Sequence, residues 1–219
     1  AVDGVIVGAA DLGPLAGGAR AVAVADPARF ARASRLAHAD DAPARGAMAH
    51  LLRVENDIVR AGTQLQPVTR FAAPFARTPF GQALNHAAGM AATGRVPIIR
   101  VTLGGFDTHQ NQLPAHAALL RQLAEGIVAL RAALMEVGLW QQTLLVSYSE
   151  FGRRPRANGS GGTDHGTASV QFVCGPQVRG GVHGEPAALG RLDRDGNLPH
   201  AIDFRSVYAT VLQRWWGLD

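Results

Sequence analysis

The sequence predicts an α/β protein with a mostly parallel sheet, and three observations carry that prediction. Two short apolar runs rich in β-branched residues, Val96-Pro-Ile-Ile-Arg-Val-Thr-Leu103 and Thr143-Leu-Leu-Val-Ser-Tyr148, read as buried strands. Between them, residues 114–137 place Leu119, Leu120, Leu123, Ile127, Leu130 and Leu134 on one face of a long helix that Gly138 ends. Strand, helix and strand in this order and length form a βαβ unit, whose strands should lie parallel with a right-handed crossover. Hydrophobic residues make up 47% and charged residues 17% of the 219, enough for one sizeable core, so residues 1–219 are expected to form a single α/β domain.

The remaining elements follow from local signals. Val5-Ile-Val7 and Ala21-Val-Ala-Val24 are candidate short strands, with Gly8 to Gly18 turn-like between them. Met48, Leu51, Leu52, Ile58 and Val59 recur at near-helical spacing over 44–61, and Gly62 reads as the stop. Thr78-Pro79 gives an N-cap followed by Pro at the first helical position, opening a helix to about Thr93 that ends at Gly94. Residues 158–166 form a polar Gly-rich loop, and Val170 to Val173 is a third apolar strand. Asp203 caps a last amphipathic helix with Val207, Val211 and Leu212 inward and Trp215-Trp216 at its end.

Composition narrows the function classes. All 21 basic residues are Arg, spread from Arg20 to Arg214, and the net charge is +4. No basic stripe interleaves with stacking aromatics, so nucleic-acid binding is not expected. No run of about 18 apolar residues marks a membrane-spanning helix. The single Cys174 allows no internal disulfide and reads as a small hydrophobe. With no Lys, a phosphate-binding Gly-x-x-x-x-Gly-Lys-Ser/Thr loop is excluded; neither Gly-x-Ser-x-Gly nor His-Glu-x-x-His occurs.

What remains is a set of metal-type ligands. The carboxyl ends of neighbouring parallel strands share one edge, where open α/β sheets bind ligands. The βαβ reading therefore brings Asp107 and His109 to the same edge as Glu150, and Asp164-His165 on the following loop can fold back over it. Carboxylate oxygens and imidazole nitrogens suit a divalent ion, with zinc, manganese, iron or calcium as candidates, in a one-metal or two-metal site. Each feature also has a plain reading: Asp107 and Thr108 as a turn cap, Glu150 as a solvated strand end, Asp164-His165 as polar loop. Their convergence favours the metal. Arg153, next to the strand end, suits recognition of phosphate, sulfate or carboxylate, whereas Arg154 and Arg156 read as a solvated turn. His116 lies close enough in sequence to Asp107 to keep in view; the other histidines read as structural or exposed.

Gly104-Gly-Phe-Asp-Thr-His109, Ser149-Glu-Phe-Gly-Arg153, Gly162-Thr-Asp-His-Gly166 and Asp203-Phe-Arg-Ser-Val-Tyr208 together resemble the domain-of-unknown-function 1501 family. That family is grouped with the alkaline phosphatase and sulfatase superfamily, and its members often carry a twin-arginine export signal. The resemblance implies a three-layer α/β/α, alkaline phosphatase-like fold and a periplasmic or secreted location. It implies that Asp107 and His109 are one ligand pair and Asp164 and His165 a later ligand-bearing loop. Glu150-Phe151 stands where superfamily phosphatases place an Asp-His pair, which removes one ligand. It also implies that the chain is the C-terminal part of a larger domain, completed by an N-terminal segment or a partner chain. The expected activity is metal-dependent hydrolysis of a small phosphate or sulfate ester. The alternative is a non-catalytic exported binding or structural protein retaining the fold.

Overall fold

The computed structural model describes residues 3–17, 20–36, 45–64 and 70–218. The chain divides into two compact units, Ala1–Gly104 with Leu120–Leu139, and Gly105–Leu119 with Trp140–Asp219. The secondary structure is mixed α/β, as expected, but the parallel sheet is small.

In the first unit, β1 (Gly4–Val7) lies between β2 (Ala21–Val24) and β3 (Ile98–Val101), and both neighbours run parallel to it. The register runs from Gly4 opposite Ala21 and Ile98 to Val7 opposite Val24 and Val101. Val5, Ile6 and Val7 are fully buried, the pattern of a central parallel strand covered on both faces. Each such side chain contributes roughly 1.5–3 kcal/mol relative to exposure. Val5, Val7 and Val24 pack with Ala61, Ala83, Met90 and Val96, drawn from α2 (Gly46–Gln64), α3 (Pro79–Ala92) and the segment before β3. A short helix, α1 (Pro27–Ala33), follows β2, with the Asp26 carboxylate accepting from the Arg29 N–H as its N-cap.

Helix α4 (Gln112–Glu136) buries Gly126, Ala129, Ala133 and Leu134. The leucine face foreseen from the sequence is largely half-buried, while Leu120 is exposed. A Cβ at Gly126 would come within 2.6 Å of Leu84 Cδ1 and 2.7 Å of Phe80 Cε1, so any larger residue there requires those α3 side chains to shift. The Glu136 carboxylate accepts the backbone N–H groups of Ala72 and Ala73 at 2.9 and 2.8 Å.

The second unit contains two small antiparallel pairs. Strand β4 (Leu145–Val146) pairs with β7 (Val173–Cys174), and β5 (Gly152–Ala157) pairs with β6 (Thr163–Gly166). Its last helix, α5 (Phe204–Thr210), runs into a π-helical turn at Val211–Trp215.

Five expectations need correction. The runs 96–103 and 143–148 do not share a sheet: β3 pairs with β1, and β4 pairs antiparallel with β7. The Ser147 N–H to Phe172 O bond (2.9 Å) and the Phe172 N–H to Ser147 Oγ bond (2.7 Å) extend that second pairing. Gly62 does not stop α2, which continues to Gln64; a Cβ there would meet Ser34 Oγ at 2.2 Å, so the glycine serves a close helix approach. The Gly-rich segment 158–166 contains β6, and the third apolar strand shrinks to Val173–Cys174. Leu212 is exposed, with Val207, Val211 and Trp215 half-buried along one stripe.

The caps behave as the sequence predicts. Thr78 Oγ1 accepts the Gly81 N–H at 3.1 Å. Thr78→Ala should cost about 1 kcal/mol of stability and Thr78→Ser much less, measured by urea unfolding. Asp203 caps α5 through the Arg205 N–H, and the Arg205 side chain holds its carboxyl well below the ordinary carboxylate range. A folded-state value below the unfolded one means this stabilisation is complete above about pH 4 and is lost as pH falls through the depressed value. The stability gap between wild type and Asp203→Asn should therefore be flat near neutrality and shrink below about pH 4, read from unfolding midpoints across a pH series.

Candidate metal centre

The site lies within the second unit and is built from two segments, 105–112 and the β5–β6 hairpin. The first is a loop that leaves regular structure after Gly104. Gly105 adopts φ +94° and Asn111 φ +44°, a conformation that Asn tolerates better than most residues. The beginning of α4 pins this loop. Gln112 Nε2 donates to Thr108 O at 2.9 Å and to Thr108 Oγ1 at 3.1 Å. His116 Nε2 lies 3.0 Å from Thr108 Oγ1 and 3.2 Å from Phe106 O, and its ring meets Phe106 edge-on at 5.5 Å. His116 thus holds the loop; it is not part of the ligand cluster.

The hairpin supplies the second wall. Arg153 and His165 are directly opposite in its register. Asn158 organises the turn: its Oδ1 accepts the N–H groups of Ser160 and Gly162, both at 3.0 Å. Its Nδ2 donates to His109 O at 2.9 Å and to Asp164 Oδ1 at 3.2 Å. The Asn111 and Gln112 N–H groups reach Ser160 O and Gly161 O, both at 3.1 Å. Gly162 permits this docking, since a Cβ there would lie 2.4 Å from the His109 carbonyl.

Docking the segments brings Asp107, His109 and His165 together, with one ligand atom from each lying within 4.8 Å of the others. Asp107 Oδ1 is the shared point, 2.8 Å from His165 Nε2 and 3.1 Å from His109 Nε2. The hydrogen bond to His165 is the main cause holding the Asp107 carboxyl below the ordinary range, with His109 adding to it. All three side chains are open to solvent, Asp107 at 64%, His109 at 50% and His165 at 44%.

The other candidates take different places. Asp164 Oδ1 lies 3.6 Å from His109 Nδ1, an ion-pair rather than a hydrogen-bond distance, on the imidazole nitrogen away from Asp107. Its carboxyl is also held low, first by Asn158 and then by His109. Glu150 contributes no atom to the cluster among the described residues; its neighbour Phe151 occupies the position against His165, rings stacked at 3.9 Å and 8°. Arg153 directs Nη1 to Thr163 O and Nη2 to Phe106 O, the latter at 2.6 Å, with Nη2 4.0 Å from Asp107 Oδ1. Its guanidinium is a fixed positive charge beside the cluster and a clamp between the two segments. Asn158, Gln112 and Gly162, which hold the two segments together, are not among the site residues the sequence suggests. The Asn-Gly-Ser-Gly-Gly run was the available signal, since Asn side chains nucleate such turns.

Two imidazole nitrogens and one carboxylate oxygen, exposed and mutually within reach, fit a divalent transition ion with open positions. The arrangement defines a mixed α/β protein with an exposed two-histidine, one-carboxylate cluster. The chain belongs to the family described as proteins of unknown function (DUF1501), whose sequence profile matches residues 15–219. No curated protein and no solved structure matches the chain.

The close approach at Gly162 is directly testable. Gly162→Ala should destabilise the protein by about 1–3 kcal/mol through overpacking and shift the His109 backbone resonances. Gly159→Ala, where a Cβ meets nothing within 4 Å, should leave both nearly unchanged.

Proposed function

We propose that this protein is a metal-dependent hydrolase-like protein acting on phosphate or sulfate esters, with the ion held by Asp107, His109 and His165. The observation that carries the reading is the convergence of those three ligand atoms at a solvent-open point. The donor set favours zinc, manganese or iron over calcium, which takes oxygen ligands. A bound ion of this kind supplies Lewis acidity and a bound water of lowered pKa.

The chain's own residues prepare that chemistry. Asp107 and Asp164, both held below the ordinary carboxylate range, are anionic at neutral pH. An imidazole offers Nε2 as a ligand only when Nδ1 carries the proton. Asp164, 3.6 Å from His109 Nδ1, is placed to favour that tautomer once an ion takes the place of the Nε2–H bond to Asp107, acting behind the ligand rather than as one. Arg153 brings positive charge next to Asp107, which favours a small anionic ester. The alkaline phosphatase-like three-layer fold, the exported location and completion by an N-terminal segment or partner chain are part of this proposal, supported by the motif resemblance.

The second reading, a non-catalytic exported binding or structural protein, is favoured by the absence of Glu150 from the ligand set. One experiment separates them. Metal analysis of the purified chain should find about one equivalent of a transition ion, and His165→Ala should lower affinity at least tenfold. An aryl phosphate and aryl sulfate screen should then show turnover lost in the same variant. Metal absence, with no metal-dependent thermal shift, overturns the hydrolase reading; stoichiometric metal without turnover supports the second, and turnover lost in His165→Ala overturns the second.

A further inference from the structure

Among the described residues, the aromatic ring nearest to His165 has no ligand atom of its own. Phe151 lies face to face with it, centroids 3.9 Å apart and planes within 8°. The Arg153 guanidinium carbon lies 5.1 Å from the centroid of the same phenyl ring, and its nitrogens are anchored on Phe106 O and Thr163 O. His165 is exposed at 44%, and His109 is the second ring beside it, at 4.9 Å and a 34° tilt. Among the described residues, the one polar partner of His165 is Asp107 Oδ1, which it meets through Nε2.

An exposed histidine on a surface hairpin would ordinarily sample several ring orientations, since its terminal torsion is broad. A single hydrogen bond at 2.8 Å fixes where Nε2 sits but leaves the ring free to swing about that contact. A flat aromatic face at 3.9 Å removes that freedom, because the ring cannot swing out of plane without striking it. The cation beside the phenyl ring holds the phenyl ring in turn.

We propose that Phe151 is a positioning residue for the metal centre: its ring, stacked on His165 and backed by Arg153, sets the imidazole plane so that Nε2 converges with Asp107 and His109. The role rests on the proposed metal reading. It gives the Phe of Ser149-Glu-Phe-Gly-Arg153 a purpose that ligand chemistry alone does not.

The test uses the full 219-residue chain with Co²⁺ as the probe, titrated by visible absorption. Phe151→Leu keeps apolar bulk and removes the flat face; Phe151→Tyr restores the face. The expected result is a Co²⁺ affinity about tenfold weaker in Phe151→Leu with an altered d–d band, and near-wild-type behaviour in Phe151→Tyr. Thermal midpoints of both variants should stay close to wild type. Without metal, the His165 ring protons should be shifted upfield by the phenyl ring current in wild type and Phe151→Tyr, but not in Phe151→Leu. Equal Co²⁺ affinity and spectrum in Phe151→Leu, or equal loss in Phe151→Leu and Phe151→Tyr, overturns the proposal. No Co²⁺ uptake by wild type despite the ring-current shift overturns the metal reading and the positioning role with it, while leaving the stack itself intact.

Discussion

The Asn158 side chain is the constraint on which the cluster depends. One carboxamide closes the hairpin turn with its oxygen and binds the other segment with its nitrogen, at the His109 carbonyl and the Asp164 carboxylate. Those bonds are local to a Gly-rich turn, yet they decide where residues 58 positions apart, Asp107 and His165, meet. A hydrogen bond with both ends partly wet contributes only about 1 kcal/mol. Its importance is geometric: α4 holds the loop and Arg153 clamps it to the hairpin, while Asn158 sets the shape of the turn between β5 and β6, which pair with each other alone among the described strands. Gly162 is the steric half of the same device.

This device also explains what the sequence could and could not reveal. Helices announced themselves: Thr78-Pro79 and Asp203 supply caps with a mechanism, and Gly138, at φ +71°, ends α4 as read. Val5-Ile6-Val7 was legible as a strand, because continuous apolar burial is what a central parallel strand needs. The pairing of strands was not legible. A βαβ reading assumes that consecutive strands are neighbours, whereas β1, distant in sequence, takes the place beside β3. The segments Gly152–Ala157 and Thr163–Gly166 carry Arg, Pro, Asp and Gly rather than alternating apolar residues, so propensity hides them. Their pairing is set by the turn chemistry between them.

For the site, residue types were more informative than the route that assembled them. Asp107, His109 and His165 meet, but through a loop docked on a hairpin rather than along one sheet edge. Glu150 was placed by that edge argument and falls out with it. Asp164 lies outside the cluster, beside the other ring nitrogen of His109. Arg153 spends its terminal nitrogens on backbone carbonyls, a role that Lys, with a point charge and no fork, could not copy.

The openness of Asp107, with nearly two thirds of its side chain in water, has a consequence for recognition. A cleft selects by shape, because a ligand must fit before it can react. A cluster on an open face exerts no such filter: a ligand arrives hydrated, and only its contacting atoms shed water. The charges of Asp107, Asp164 and Arg153 are felt over about 8 Å at physiological salt before screening removes them. Discrimination at such a point comes from the head group that touches it, and the size of whatever trails behind into solvent is left unread.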